Sequence, residues 1–433
     1  MTRSQMVRRG WAALITATTL LLAACGGGGN DSGGTAKLRV LNATSDTTLT
    51  SMDVYLGDSK TFSAATSDTL TAYADKSAES YTVKLTTAGS TTTLFTGAYT
   101  LSKDKNYTGV VWGRAGSLRF ATLPEDDDTA SISANSARVR VYNATANTGA
   151  VDVYLTLNDE ELLDTTPVAS AVASATLGGY RELSVGTYRL RVTGAGDTND
   201  LRLDIPGVVL NLKEYSTIVL TAGPGNVLVN GAQLVQRGAL TSLKNTKARL
   251  RVVAGAEARG SIGVSVAGTT FVGGLRAPTV GPYTLVNAGS PLVDVRLNGV
   301  SISSTNRTLT PGGDYTLLAY GSDGAGQVAL LADDNRLPSA GTYRIRLVNA
   351  AATTAPLTLS VDFAALLSDI PSGSASAIAA GTANSSARLD VTSTSGIDSL
   401  YTEADVNLQT LGVYTVFVLG GNTTPTGVLR KDR

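Results

Sequence analysis

Four times along the chain the same alternation of apolar and polar residues opens a segment. It reads KLRVLNAT from Lys37, RVRVYNAT from Arg138, RLRVVAGA from Arg249 and RIRLVNAA from Arg344. A period of two is the signature of a strand with one buried face. Leu38 and Val40 point one way in the first copy; Val139 and Val141, Leu250 and Val252, and Ile345 and Leu347 do so in the others. The copies recur roughly every 100 residues, the size of a domain and longer than a solenoid repeat. A repeat of this length restricts the fold more than any single motif does.

A second strand follows each opening strand after a polar loop: MDVYL at Met52, VDVYL at Val151, IGVSV at Ile262 and LTLSV at Leu357. Its apolar face persists, whereas the Asp of the first two copies becomes Gly263 and Thr358. A third strand reads YTVKLT from Tyr81, YRLRVT from Tyr188, VDVRLN from Val293 and RLDVTS from Arg388. A closing strand starts at a tyrosine in each copy, which places Tyr107, Tyr215, Tyr315 and Tyr414 in register. The expected role of these tyrosines is structural: a packed ring whose hydroxyl bonds nearby backbone at a sandwich corner. Between copies, PEDDDTASISANS, QRGALTSLKNT and DNRLPSAG lack a strand pattern. Short alternating strands with Gly, Asn and Asp between them specify an all-β chain of four antiparallel β-sandwiches in a row, immunoglobulin- or transthyretin-like. The expected limits are 37–124, 137–235, 247–333 and 341–433. Only Ser374 to Asn384 has room for a helical turn, and it lacks an apolar stripe.

The N-terminus carries an address. Residues 1–24 hold Arg3, Arg8 and Arg9, a short apolar run and small residues, which is a secretory signal. Leu22-Ala23-Ala24-Cys25 resembles the bacterial lipoprotein box, and Cys25 is the single cysteine. That resemblance implies cleavage before Cys25, diacylation of its thiol and anchorage to the membrane, since two or more acyl chains hold stably. Gly26 in place of Asp implies the outer membrane, facing the periplasm or the surface. Residues 25–36 then form a glycine-rich tether.

The opening RVRVxNA…VDVY, the middle GTYRLRV and the closing tyrosine strand resemble the bacterial domain of unknown function 4397. Recognisable copies are expected at about 37–124 and 137–235, with two divergent ones after them. The family implies cell-surface or secreted placement and no established catalysis. A HASPDAP loop common in it is replaced here by NATSDTT and NATANTG.

Composition excludes much chemistry. There is no histidine, so Ser-His-Asp and Cys-His mechanisms and His-built zinc sites are absent in cis. Without the leader the chain holds 32 basic against 35 acidic side chains, and nothing in it draws nucleic acid. Ser102-Lys103-Asp104-Lys105 matches SxxK without its companion elements and is expected to be a turn. Glu125 to Asp128, and Asp333 with Asp334, are expected to be solvated linker acids, the rival reading being a calcium loop. Trp112 is expected to pack, the rival reading being a sugar platform. Asn42-Ala43-Thr44 and Asn143-Ala144-Thr145 fit Asx turns better than glycosylation sites. Arg39 with Asp53, and Arg140 with Asp152, are expected to pair on outward faces as small surface contributions. No catalytic residue, metal or cofactor is assigned. The expected function is a non-catalytic, lipid-anchored envelope protein, a binding, adhesion or spacer device meeting an envelope protein or glycan. The alternative is a carbohydrate-binding or carbohydrate-active surface protein using loop carboxylates or exposed aromatics.

Overall fold

The structure, a computed structural model, describes residues 34–433 except 158–159, 258–259, 323, 353–354, 394–398 and 422–424. The leader and Cys25 lie outside the described residues. The chain is built of strands, with a 3-10 turn at Thr129–Ser131. Eight sheets pair off around four separate apolar cores.

Sandwich one shows the plan. One sheet runs Ala74–Ser77, Thr35–Asn42, Asn106–Trp112, Arg119–Pro124; the other runs Ser59–Thr66, Ser51–Leu56, Ser80–Thr87, Phe95–Thr100. Leu38 and Val40 from the first sheet meet Met52, Val54, Val83 and Leu85 from the second, all buried. The alternation therefore lands on the core face as expected. The opening and second strands lie in different sheets, so the chain crosses the core between them.

One feature departs from a purely antiparallel sandwich. In every copy the opening strand pairs in parallel with the closing strand: Thr35–Asn42 with Asn106–Trp112, Ser136–Asn143 with Tyr215–Ala222, Lys247–Ala254 with Asp314–Tyr320, and Thr342–Ala352 with Val413–Gly421. A parallel pair needs a long crossover, and here the rest of the sandwich supplies it. The segment from Ser374 to Asn384 contains short strands and no helical turn; Ser374–Ala375 and Ala379–Thr382 pair with the fourth opening strand.

The outer faces of these parallel-paired sheets are not solvated. Leu41, Val110, Trp112 and Leu123 of sandwich one pack on Tyr142, Val219 and Leu234 of sandwich two. Val253, Val280 and Leu318 of sandwich three likewise pack on Val348, Phe417 and Leu419 of sandwich four. The sandwiches are thus fused two by two through dry sheet-on-sheet joints. They are consecutive in sequence but do not form a simple row. Arg433, at the end of sandwich four, donates to the carbonyls of Thr148 (2.7 Å) and Asn226 (3.1 Å) in sandwich two.

Candidate functional site

An arginine that points away from its own sandwich's core ends inside a joint. Arg39, Arg140, Arg251 and Arg346 occupy the same place on the four opening strands and are 2–8% exposed. Each donates through Nε to a threonine of the adjacent closing strand: Thr108 at 2.9 Å, Thr217 at 3.0 Å, Thr316 at 2.8 Å and Thr415 at 3.0 Å. Parallel pairing sets these contacts, because each arginine sits directly opposite its threonine.

Acids and aromatics complete the joints. Arg39 Nη2 donates to Glu125 Oε1 at 2.7 Å, and Thr108 and Tyr73 donate to the same carboxylate. Asp333 pairs with Arg346 at 2.7 Å and accepts from Thr316 and Tyr283, each at 2.6 Å. Asp432 accepts from Arg251 Nη1 and from Thr415, each at 2.6 Å. Tyr73, Tyr180 and Tyr283 lie against the guanidinium groups of Arg39, Arg140 and Arg251 at 4.8, 4.5 and 4.4 Å. Burial opposes the charge of Arg251, but Asp432, Tyr283 and Asp333 outweigh it and hold the group above its ordinary pKa. A buried charge is tolerated when it is paired and hydrogen-bonded.

Several expectations are corrected by this geometry. Arg39 and Asp53 do not pair, nor do Arg140 and Asp152, because their strands lie in opposite sheets. Asp53 instead bonds Lys60 Nζ (2.7 Å) and the amides of Ala64 (2.8 Å) and Gly89 (3.2 Å). Asp152 takes the amides of Ala171 (2.6 Å) and Gly196 (2.8 Å). Ala64 and Ala171 have φ of 50° and 48°, so each Asp secures a strained bulge on its neighbouring strand. Of the linker acids, only Asp128 stays exposed. Glu125 is 3% exposed, Asp126 accepts from Asn106 and Arg237, Asp127 accepts from Tyr180, and Asp128 caps the 3-10 turn. Asp334 accepts from Arg336, Arg344 and Asn226. Among the described residues no group of three or more His, Cys, Asp or Glu side chains is placed to hold a metal.

The four tyrosines split three to one. Tyr107, Tyr315 and Tyr414 stand opposite Leu38, Leu250 and Ile345, whereas Tyr215 stands opposite Arg138, one position out of register. The three in register accept from an amide five residues earlier: Ser102, Thr310 and Gln409, at 3.3, 2.9 and 2.8 Å. Tyr215 bonds Arg138 and Ser131 instead. Trp112 is 3% exposed in the first joint, edge-on to Tyr142 at 6.4 Å, so it offers no platform. Asn42 and Asn143 are fully buried and accept from the amide and hydroxyl of Thr44 and Thr145, which makes both Asx turns. Ser102 to Lys105 is a turn, with the Lys105 amide bonding the Ser102 carbonyl.

Sequence reasoning missed the arginine joints, although the signal was present. An outward arginine recurs in all four copies while the outward Asp drifts. A solvated charge has no reason to recur at one register position. What the arrangement does is structural: the four threonines are at most 4% exposed, and the hydroxyls of Thr108, Thr316 and Thr415 are each held between an arginine and a carboxylate.

No curated protein sequence matches the chain. Solved structures give weak likenesses. Described as "Alpha-glucan binding by a streptococcal virulence factor", one is 11% identical with a TM-score of 0.17, over 43% of this chain and 92% of that one. "The Bacillus anthracis TIE protein" is 9% identical with a TM-score of 0.15, over 85% and 67%. The ligand-free PulA structure from Klebsiella pneumoniae is 15% identical with a TM-score of 0.14, over 62% and 31%. No helix of the described residues is long and apolar enough to cross a membrane. The model of one family, Domain of unknown function (DUF4397), matches residues 36–154 and 248–360. Each match covers one sandwich and the first two strands of the next, rather than the first two sandwiches separately. It therefore falls once per fused pair and takes in both joint arginines and the linker acids between them. With more than half of its residues matched, the chain belongs to the DUF4397 family.

Proposed function

We propose that this chain is a non-catalytic, lipid-anchored protein of the bacterial envelope whose sandwiches form a binding or adhesion unit. One observation carries the reading: the carboxylates and aromatics that the sequence offered for chemistry are committed to joining sandwiches. Glu125, Asp333 and Trp112 are buried in or beside the joints, bonded or packed by neighbouring domains. A spacer gains reach from an extended row, and here sandwich four bonds back to sandwich two, which favours binding over spacing. The lipobox resemblance at Cys25 supplies the anchor, and the outer membrane follows from Gly26.

The test uses the full chain expressed in a bacterial host. Wild type is expected in the membrane fraction, released by detergent and not by salt, and Cys25→Ala is expected in the soluble fraction. A Cys25→Ala protein that still sediments with membranes would overturn the anchor. Turnover of an envelope glycan by the purified protein, abolished by an Asp or Glu substitution, would overturn the non-catalytic reading.

A further inference from the structure

The four sandwiches share a plan, and one of them departs from it at one end. Where each opening strand begins, the turn before the closing strand donates an amide to it: Asp104 to Thr35 (2.8 Å), Lys213 to Ser136 (2.9 Å), Gly312 to Lys247 (2.7 Å) and Leu411 to Thr342 (2.8 Å). The residues just before these amides are Lys103, Leu212, Pro311 and Thr410. A second turn at the same end donates from Ala78, Val185, Ala288 and Ala383. The hairpin after the second strand closes through Gly57-Asp58, Ala267-Gly268 and Asp362-Phe363 in three copies, whereas sandwich two uses residues 157–168 there. All three loops at this end of sandwich two are therefore larger or more apolar than their counterparts.

These side chains point into solvent. Leu163 is 82% exposed, Leu157 66% and Leu212 60%, with Val185 and Val209 exposed beside them. They make up five of the ten exposed large apolar side chains among the described residues, so the apolar surface is concentrated here. Single exposed apolar residues are ordinary; a cluster of them marks an interaction site. The same end faces the start of the chain. Gly34 and Thr35 accept from Ala78 and Asp104 at the matching end of sandwich one. The linker between the sandwiches runs across both of these ends: Asp126 accepts from Asn106 at 2.7 Å, and Ile132 accepts from Lys213 in the turn that carries Leu212. The opposite end of sandwich two carries Asn226 and meets the second pair. Residues 25–34 span at most about 36 Å, which keeps this apolar end close to whatever holds Cys25.

We propose that this end of sandwich two docks on a zwitterionic phospholipid bilayer, with Leu157, Leu163 and Leu212 entering the boundary between headgroups and acyl chains. The inference rests on the lipid-anchored reading of Cys25, which supplies the surface and its nearness. Apolar side chains at an interface bind in proportion to the area they bury. The exposed charges around them, Glu160, Glu161 and Asp164 on the long loop and Lys103, Asp104 and Lys105 on sandwich one, are of both signs. Mixed charges suit headgroups that carry a phosphate and an ammonium, whereas the three acids beside Leu163 oppose a strongly anionic leaflet. Docking would convert a loose attachment at Cys25 into a fixed orientation, with the second pair held away from the membrane.

The test couples the chain from Cys25 onward, through that single cysteine, to a maleimide lipid in phosphatidylcholine vesicles, with and without bromine on the acyl chains. Leu163→Trp and Leu212→Trp serve as probes against the constant background of buried Trp112. Both are expected to shift to the blue and to be quenched by brominated lipid, and Val300→Trp, exposed in sandwich three, is expected to show neither change. Leu157→Ser with Leu163→Ser touches only exposed positions, and should weaken docking of the Leu212→Trp probe about tenfold or more. Probes at 163 and 212 that bromine leaves unquenched would overturn the proposal. A blue shift without quenching would also overturn it, since a second copy of the chain would then be covering the site. Quenching of Val300→Trp to the same extent would do so too. Coupling is chemical, so failure here leaves the fractionation of Cys25→Ala in cells standing, and a failed fractionation would strike the anchor without altering these spectra.

Discussion

At the scale of single residues, the joints depend on arginines that look like surface residues in the sequence. Arg39 is 4% exposed and Glu125 3%, so removing one partner strands the other in a dry interface. Arg39→Met should destabilise the first joint by about 3–5 kcal/mol, the usual cost of breaking a buried ion pair from one side. Trp112 lies in that joint and is the only tryptophan after the leader, so its fluorescence reports the transition directly. Adding Glu125→Gln to Arg39→Met should recover part of the loss; a double variant as unstable as the sum of the singles would refute the coupling. Trp112→Ala should cost about 3–5 kcal/mol by leaving a cavity, followed by circular dichroism because the fluorophore is gone.

At the scale of elements, the corner tyrosines make a sharper test than the strands. Tyr315→Phe removes the acceptor of the Thr310 amide and should cost about 1–3 kcal/mol, read as a lower denaturation midpoint. Tyr414→Phe should behave alike through Gln409, whereas Tyr215→Phe leaves no equivalent amide without its partner. An equal loss at Tyr215 would show that the hydroxyl bond is not what these positions contribute. Strand existence and core faces were legible because a period of two depends only on neighbouring residues. Val139 and Val141, for example, point into the core as their alternation requires. Strand partnership was not legible, because it depends on residues far apart in the chain. Asp53 therefore meets Lys60 rather than Arg39, although it points away from the core as its alternation requires. The slip at Tyr215 has the same origin. The recurring tyrosine conceals an offset of one residue, because Ser216 and not Tyr215 stands opposite Val139. The fate of the outer faces was also hidden, since a joint between sandwiches leaves Trp112 and Arg39 on the polar side of each strand's pattern.

At the scale of the whole molecule, Asn226 of sandwich two gathers sandwiches one and four and the linker that follows sandwich three. It accepts from Arg114 of sandwich one at 2.8 Å, donates to Asp334 beyond sandwich three at 3.2 Å, and takes Arg433 of sandwich four on its carbonyl at 3.1 Å. Arg433→Ala should let the two pairs move apart and raise the radius of gyration in solution scattering; an unchanged value would show that other contacts hold the pairs. Asp334 adds a dependence on pH. Burial would raise its pKa, but hydrogen bonds from Arg336 and Arg344 outweigh that and hold it well below the ordinary 3.8. A lowered carboxylate pKa contributes stability that is complete above the unfolded value and is lost as pH falls through the folded one. Thermal stability should therefore decline below about pH 4, and Asp334→Asn should flatten that decline; an unaltered slope would refute the assignment.

The parallel pairing of opening and closing strands has a mechanical consequence. Near the base of sandwich one, Leu38 lies beside Tyr107, and Tyr107 beside Pro124, so the chain enters and leaves at the same end. The polypeptide makes almost no net advance in crossing sandwich one. If one end of the molecule is held at a membrane and the other is pulled, opening sandwich one alone releases roughly 300 Å of contour from its 37–124 span. Folded, sandwich one adds little reach; under load, it holds a reserve of length far greater than its own width.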